Sequence, residues 1–206
     1  MVQGVGFRPH VARVAAAVGV TGLVGNDDAA VFIEAQGTPA QTNRFIEAVR
    51  ADLPPLAHVA AVTEAPQAVV AGEAGFRIVP SRQASGARTL IPPDTAPCAD
   101  CLREMRDPAD RRHRYPFITC TNCGPRLSII RDLPYDRPAT TMAAFPMCPV
   151  CAAEYADPRD RRYHAQPISC FDCGPRLWFA DADGREVADW EDGIVQARQV
   201  LAAGGT

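Results

Sequence analysis

Apolar positions in the first eighty residues fall into helical and then strand-like periods. Val11, Val14, Ala15 and Val18 recur behind Pro9 at three- and four-residue spacing and stop at Gly19, which predicts a helix closed by a glycine cap. "TGLVGND" and "AVFIEAQG" follow as two strands, with Asn26-Asp27-Asp28 as the hairpin turn between them. Thr38-Pro39 opens a second helix, in which Phe45, Ile46 and Val49 share a face before Pro54-Pro55 ends it. "LAHVAAVTEA" and "GFRIVPS" read as two further strands. The order loop-α-β-β-α-β predicts an α+β, ferredoxin-like βαββαβ sandwich over residues 1–80, lacking its first strand.

A polar, Pro-containing linker is expected at 81–96, and a different kind of pattern begins after it. "CADCLREMRDPADRRHRYPFITCTNCGPRL" aligns without gaps on "CPVCAAEYADPRDRRYHAQPISCFDCGPRL" 50 residues later, with half of the positions identical. Residues 97–180 therefore read as a duplicated unit, with repeats at 98–123 and 148–173. In the last segment, 181–206, an Asp183-Gly184 turn precedes Trp190, Ile194, Ala197 and Leu201 at helical spacing. With a strand missing at one end and a helix running into Gly204-Gly205 at the other, the sequence reads as a fragment cut at both ends.

The repeats carry all eight cysteines, as Cys98/Cys101, Cys120/Cys123, Cys148/Cys151 and Cys170/Cys173. Two thiolates at i and i+3 in a tight turn can face one ion, and two such turns complete a tetrahedral shell of four sulfurs. Closing the intervening loop costs roughly 2–3 kcal/mol, against about 10–16 kcal/mol of apparent zinc affinity in finger-sized peptides. Two small four-cysteine zinc ribbons are thus expected, each with a structural ion, because a closed four-sulfur shell leaves no position for substrate. Duplication of a four-cysteine unit favours consecutive pairing, and spacing alone leaves interleaved pairing, an iron–sulfur cluster, a redox dithiol or disulfides open. Gly124 and Gly174, after the second pair of each repeat, are expected to take positive φ. His113 and His164 are not at equivalent repeat positions and read as surface or core residues. Arg111, Arg112, Arg114, Arg161 and Arg162 read as a solvated face beside Asp107, Asp110, Asp157 and Asp160.

Composition narrows the classes. The formal net charge is −3 and no run approaches a membrane span of about 20 apolar residues. Neither nucleic acid nor a membrane is expected as a partner. Without a signal-peptide pattern, a soluble cytoplasmic protein is the expectation, and there paired cysteines suggest metal.

The N-terminal "VQGVGFRP" is the second candidate site. A glycine loop running into a helix offers backbone N–H groups and the helix dipole to an anion, and Arg8 adds a guanidinium. Asn26, at the end of a strand, could hold a water for in-line attack on phosphorus. This loop, with "VGNDDAAVFIEAQG" after it, resembles the acylphosphatase family. The resemblance implies that Gln3, Gly4, Val5, Gly6, Phe7 and Arg8 hold phosphate and that Arg8 and Asn26 are catalytic. Joined to C-x2-C-x18-C-x2-C-x24-C-x2-C-x18-C-x2-C, the chain resembles the N-terminal part of the HypF family, carbamoyltransferases of nickel–iron hydrogenase maturation. That implies cleavage of carbamoyl phosphate here and ATP-dependent adenylation of the carbamate in a YrdC-like domain, of which 181–206 would be the truncated start. The carbamoyl group would then pass to the C-terminal Cys of HypE, to become a cyanide ligand. The alternative reading is a non-enzymatic zinc-ribbon interaction module with a vestigial phosphate loop.

Overall fold

The computed structural model describes residues 2–27, 30–82 and 90–205. The first helix, α1 (Phe7–Val18), ends at Gly19 with a left-handed φ of 82°, whose N–H donates to Ala15 O. Strands β1 (Thr21–Asn26) and β2 (Val31–Gln36) pair antiparallel, Asn26 opposite Val31; the predicted turn residue Asp28 lies outside the described residues. Helix α2 (Pro39–Ala51) begins with a reciprocal cap: Thr38 accepts from the Gln41 N–H and Gln41 returns a bond to the Thr38 N–H. Strand β3 (Phe76–Ile78) then lies parallel to β1 on its other side, giving a mixed sheet of order β2-β1-β3. Val5, Phe7, Val11, Ala15, Val24, Phe45 and Val49 fill the core between the helices and this sheet.

One predicted strand does not form. Residues 57–70 run without regular structure, although Ala57 and Val59 still pack against the core. A strand is held by pairing its backbone to a neighbour, and no described strand lies alongside. Instead the Gln36 side chain accepts from Val70 N–H and donates to Val70 O, both at 2.9 Å.

In the Cys-rich half each repeat is organised on one short helix rather than on a strand ladder: α3 (Ala99–Arg106) and α4 (Pro149–Ala156), each starting directly after the first cysteine of its repeat. The end of the expected linker packs against the first repeat. Asp94 accepts from Arg126 N–H at 2.6 Å, and Thr95 pairs with Gly124; residues 83–89 lie outside the described set. Gly124 has the expected positive φ of 90°, whereas Gly174 does not. A Cβ at Gly174 would strike the Tyr115 hydroxyl and Ser169, so that position needs smallness rather than a left-handed backbone. The chain continues through the hairpin β4 (Trp178–Ala180) and β5 (Glu186–Asp189) to α5 (Trp190–Ala202), the helix expected from its apolar spacing.

Candidate phosphate loop and metal centres

Gly4 and Gly6 adopt φ of 66° and 78°, a region that costs a residue with a Cβ about 1–2 kcal/mol. Gly6 caps α1 with no side chain of its own, so the first-turn N–H groups, which have no intrahelical partner, meet no cap from that residue. Gln3 and Val5 point inward; the Gln3 amide donates to Asp27 O and Ala30 O and so ties the loop to the β1–β2 turn. Asn26 is fully buried, and neither its amide nitrogen nor its amide oxygen has a partner; Gln3 Oε1 is likewise unpaired. A buried amide left unpaired costs about 1–3 kcal/mol, the kind of penalty retained where a water or ligand belongs.

Residues that the sequence did not single out close this loop from the other half of the chain. Arg8 is buried, with Nη2 donating to Asp136 Oδ1 at 2.6 Å and to Tyr135 O at 3.2 Å, and Nη1 reaching Ser81 Oγ at 3.3 Å. Ser81 also donates to Asp136. Arg126 donates to Gly4 O, and a Cβ on Gly4 would lie 3.0 Å from Pro92 Cγ. A pocket of about 30 Å³, room for a water or two, opens between Gly4, Gly6, Arg8, Arg126, His164 and Gln166. Phe7 also lines it, whereas Gln3, Val5 and Asn26 are not on its wall. Burial, reinforced by the Arg8 charge and only partly opposed by Asp136, pushes the His164 imidazole down to about 4. Asp136, Tyr135 and Arg126 gave no signal in the sequence because their roles depend on contacts more than a hundred residues apart.

The structure gathers the cysteines into two groups. Cys98, Cys101, Cys120 and Cys123 form one and Cys148, Cys151, Cys170 and Cys173 the other, with all four sulfurs of each within 4.8 Å. Sulfur separations of 3.8 Å (Cys98–Cys120), 3.6 Å (Cys120–Cys123) and 3.4 Å (Cys101–Cys123) recur in the second group at 3.7 Å for Cys148–Cys170 and Cys170–Cys173. A tetrahedron with Zn–S bonds of about 2.3 Å has edges of about 3.8 Å, so the donor set fits that ion. His113 and His164 belong to neither group.

The expected solvated arginine face is instead largely an internal seam. Arg112 and Arg162 are 1% and 3% exposed. Arg112 donates to Glu154 and to Ser169 O at 2.9 Å; Arg162 donates to Glu104 and to Thr119 O at 3.0 Å. These bonds cross between repeats, and position n in one matches n+50 in the other. A buried guanidinium needs such partners, and the aspartates expected beside it turn the chain instead: Asp110 and Asp160 accept from Arg112 N–H and Arg162 N–H, each at 2.7 Å. Burial alone would raise Glu104; bonds from Arg161 and Arg162 outweigh it and hold that carboxyl at about 2.

An α+β domain that opens on a two-glycine loop, followed by paired four-cysteine units, defines an acylphosphatase-type fold joined to four-cysteine fingers. The acylphosphatase family model matches residues 1–78, and the HypF finger model matches 98–130 and 147–180. The chain is 50% identical over 149 residues to carbamoyltransferase HypF2 of Cupriavidus necator, covering 72% of this chain and 18% of that protein. It is 48% identical over 64 residues to an acylphosphatase of Thermotoga maritima, covering 31% of this chain and 70% of that protein. A solved full-length HypF in a phosphate- and nucleotide-bound form superposes with a TM-score of 0.88 at 42% identity, over 98% of this chain and 26% of that one. The chain belongs to the HypF family of carbamoyltransferase enzymes and spans less than a third of the length of the HypF proteins it matches.

Proposed function

We propose that residues 1–80 cleave the phosphorus–oxygen bond of an acyl phosphate, with carbamoyl phosphate as substrate, as one station of a HypF-type enzyme. The loop N–H groups from Gly4 to Arg8 and the Arg8 guanidinium hold the phosphoryl oxygens, where charge gathers in the transition state. Asn26 holds the attacking water through its amide. The observation that carries this reading is Asn26 itself: fully buried, with both amide atoms unpaired, at the end of the strand that Gln3 ties to the loop. Phosphoryl binding at Arg8 requires Asp136 to yield that guanidinium, which it now pairs at 2.6 Å. The carbamate released would be adenylated with ATP and passed to the C-terminal Cys of a HypE-type protein by domains outside residues 1–180; residues 181–206 would open the YrdC-like one.

Each group of four cysteines would hold one zinc ion in a structural role. The ion supplies the cross-link that lets so small a unit keep its shape.

The test is hydrolysis of carbamoyl phosphate in 18O-water by the full-length enzyme. Label should enter inorganic phosphate, and Arg8→Ala and Asn26→Ala should each abolish turnover. Inorganic phosphate free of label, or unchanged turnover in either variant, overturns the reading. The Arg8–Asp136 ion pair favours a second reading, a non-enzymatic module whose loop is locked; turnover absent from the unaltered enzyme would support it.

A further inference from the structure

Each group of four cysteines receives its nearest cations from the opposite repeat. Arg161, in the second repeat, directs Nη2 to Cys101 Sγ of the first at 3.1 Å and grips Glu104 with Nε at 2.6 Å and Nη2 at 2.7 Å. Its counterpart Arg111, in the first repeat, places Nη2 3.0 Å from Cys170 Sγ and Nη1 3.4 Å from Cys151 Sγ. Arg112 adds a contact of 3.3 Å to Cys151 Sγ. The carboxylates that hold these guanidiniums, Glu104 and Glu154, each lie one turn beyond the second cysteine of their own helix.

We propose that Arg161 orients the thiolates of the Cys98 centre and Arg111 those of the Cys148 centre, so that each ion is retained by the repeat that does not ligate it. This rests on the metal reading above. Four thiolates around a divalent ion carry a net charge near −2 in a largely buried setting, and such a charge needs partners of opposite sign. The planar guanidinium fork supplies that charge and fixes the sulfur's direction, while the same fork is anchored on a carboxylate. The same local device aims both arginines across the seam. Asp107 and Asp157 turn the chain after their helices, accepting from Ala109 N–H and Arg159 N–H at 2.9 Å each, and Asp110 and Asp160 then bend it again. Duplication thus has a chemical consequence: one repeat alone has four ligands but lacks the cation that steadies them.

The experiment loads the full chain with cadmium-113, assigns its two resonances through couplings to cysteine β-protons, and follows each after addition of excess EDTA. Arg161→Gln should speed loss from the Cys98 centre by about tenfold or more, the range seen when outer partners of metal ligands are removed. Loss from its own Cys148 centre should change far less. Arg111→Gln should show the mirror result, and Arg103→Gln, an exposed arginine on α3, should change neither. Native rates at the opposite centre, or equal acceleration at both, overturn the proposal. Where Arg161→Gln fails to fold, Arg161→Lys keeps the charge without the fork and should still speed loss at the Cys98 centre; a native rate there overturns the proposal. Failure of the unaltered chain to bind cadmium or zinc overturns the metal reading instead.

Discussion

Arg162 of the second repeat donates to Glu104 of the first, and its counterpart Arg112 returns the same bond to Glu154. The two repeats are therefore one packed body with an internal two-fold exchange rather than beads on a string. Breaking one arm leaves a half-buried carboxylate short of a partner. Arg162→Met should destabilise the zinc-loaded chain by about 3 kcal/mol, at the low end for a broken buried pair because Arg161 still holds Glu104. Adding Glu104→Met should recover little, because it strips Arg161 of its carboxylate as well. Denaturant midpoints of the three chains, measured at equal zinc, check this.

His164 should stay neutral well into the acid range. Its ring lies 4.7 Å from Tyr155 and 4.6 Å from Tyr163, and its pKa is pushed down to about 4 by burial and by Arg8, with Asp136 opposing. Its folded value lies below its unfolded value of about 6.5, so the unfolded chain takes up the proton first. The contribution is fully present above pH 6.5 and is lost as pH falls from there towards 4. Proton NMR of the imidazole should show a midpoint near 4, and inorganic phosphate at Arg8 should raise it.

Gly174→Ala should be costly although its backbone is ordinary. The added methyl meets the Tyr115 hydroxyl, which donates to Ser169 Oγ across the repeats at 3.1 Å. Displacing that ring should cost about 1–3 kcal/mol and lower the melting temperature of the zinc-loaded chain. Gly72→Ala meets open space but carries a φ of 75°, so its loss should stay near the 1–2 kcal/mol of the backbone alone.

This contrast shows what was legible beforehand. Local rules found Gly19 as a cap, Thr38 as an N-cap, and the first two strands, because each depends on neighbours a few residues away. They placed the cysteines in two sets of four through duplication, itself a local signal. They misread Arg112 and Arg162 as solvated and Gly174 as left-handed, because the cause in each case lies in the other repeat. They also drew a strand at "LAHVAAVTEA", where composition suits a strand but no described neighbour pairs with it. The Arg8 partner Asp136 was out of reach for the same reason.

Asp136 should act as a latch on Arg8. Its carboxylate occupies the guanidinium that a phosphoryl group would use, at 2.6 Å. Asp136→Ala should tighten inorganic phosphate binding to the full chain by about tenfold, the value of a charge-assisted hydrogen bond released from competition. Phosphorus-31 NMR or calorimetry reads this directly. Weaker binding would instead assign Asp136 to holding Arg8 in place.

Stripping the metal should damage the phosphate loop as well as the fingers. Arg126 is the link: it donates to Gly4 O on one side, and to Thr121 O at 2.9 Å and Cys123 O at 3.1 Å on the other. The carbonyls it grips sit beside two proposed zinc ligands, so their positions depend on the closed four-sulfur shell. When a chelator removes zinc under reducing conditions, residues 98–173 should lose their dispersed NMR signals, since units of this size are held by the ion. Arg126 then loses its anchors, Gly4 is released, and phosphate affinity should fall in parallel with zinc content. Arg126→Met, with zinc retained, should reproduce the fall in phosphate affinity without melting the fingers. Loss of phosphate binding on chelation but not in that variant would place the coupling elsewhere.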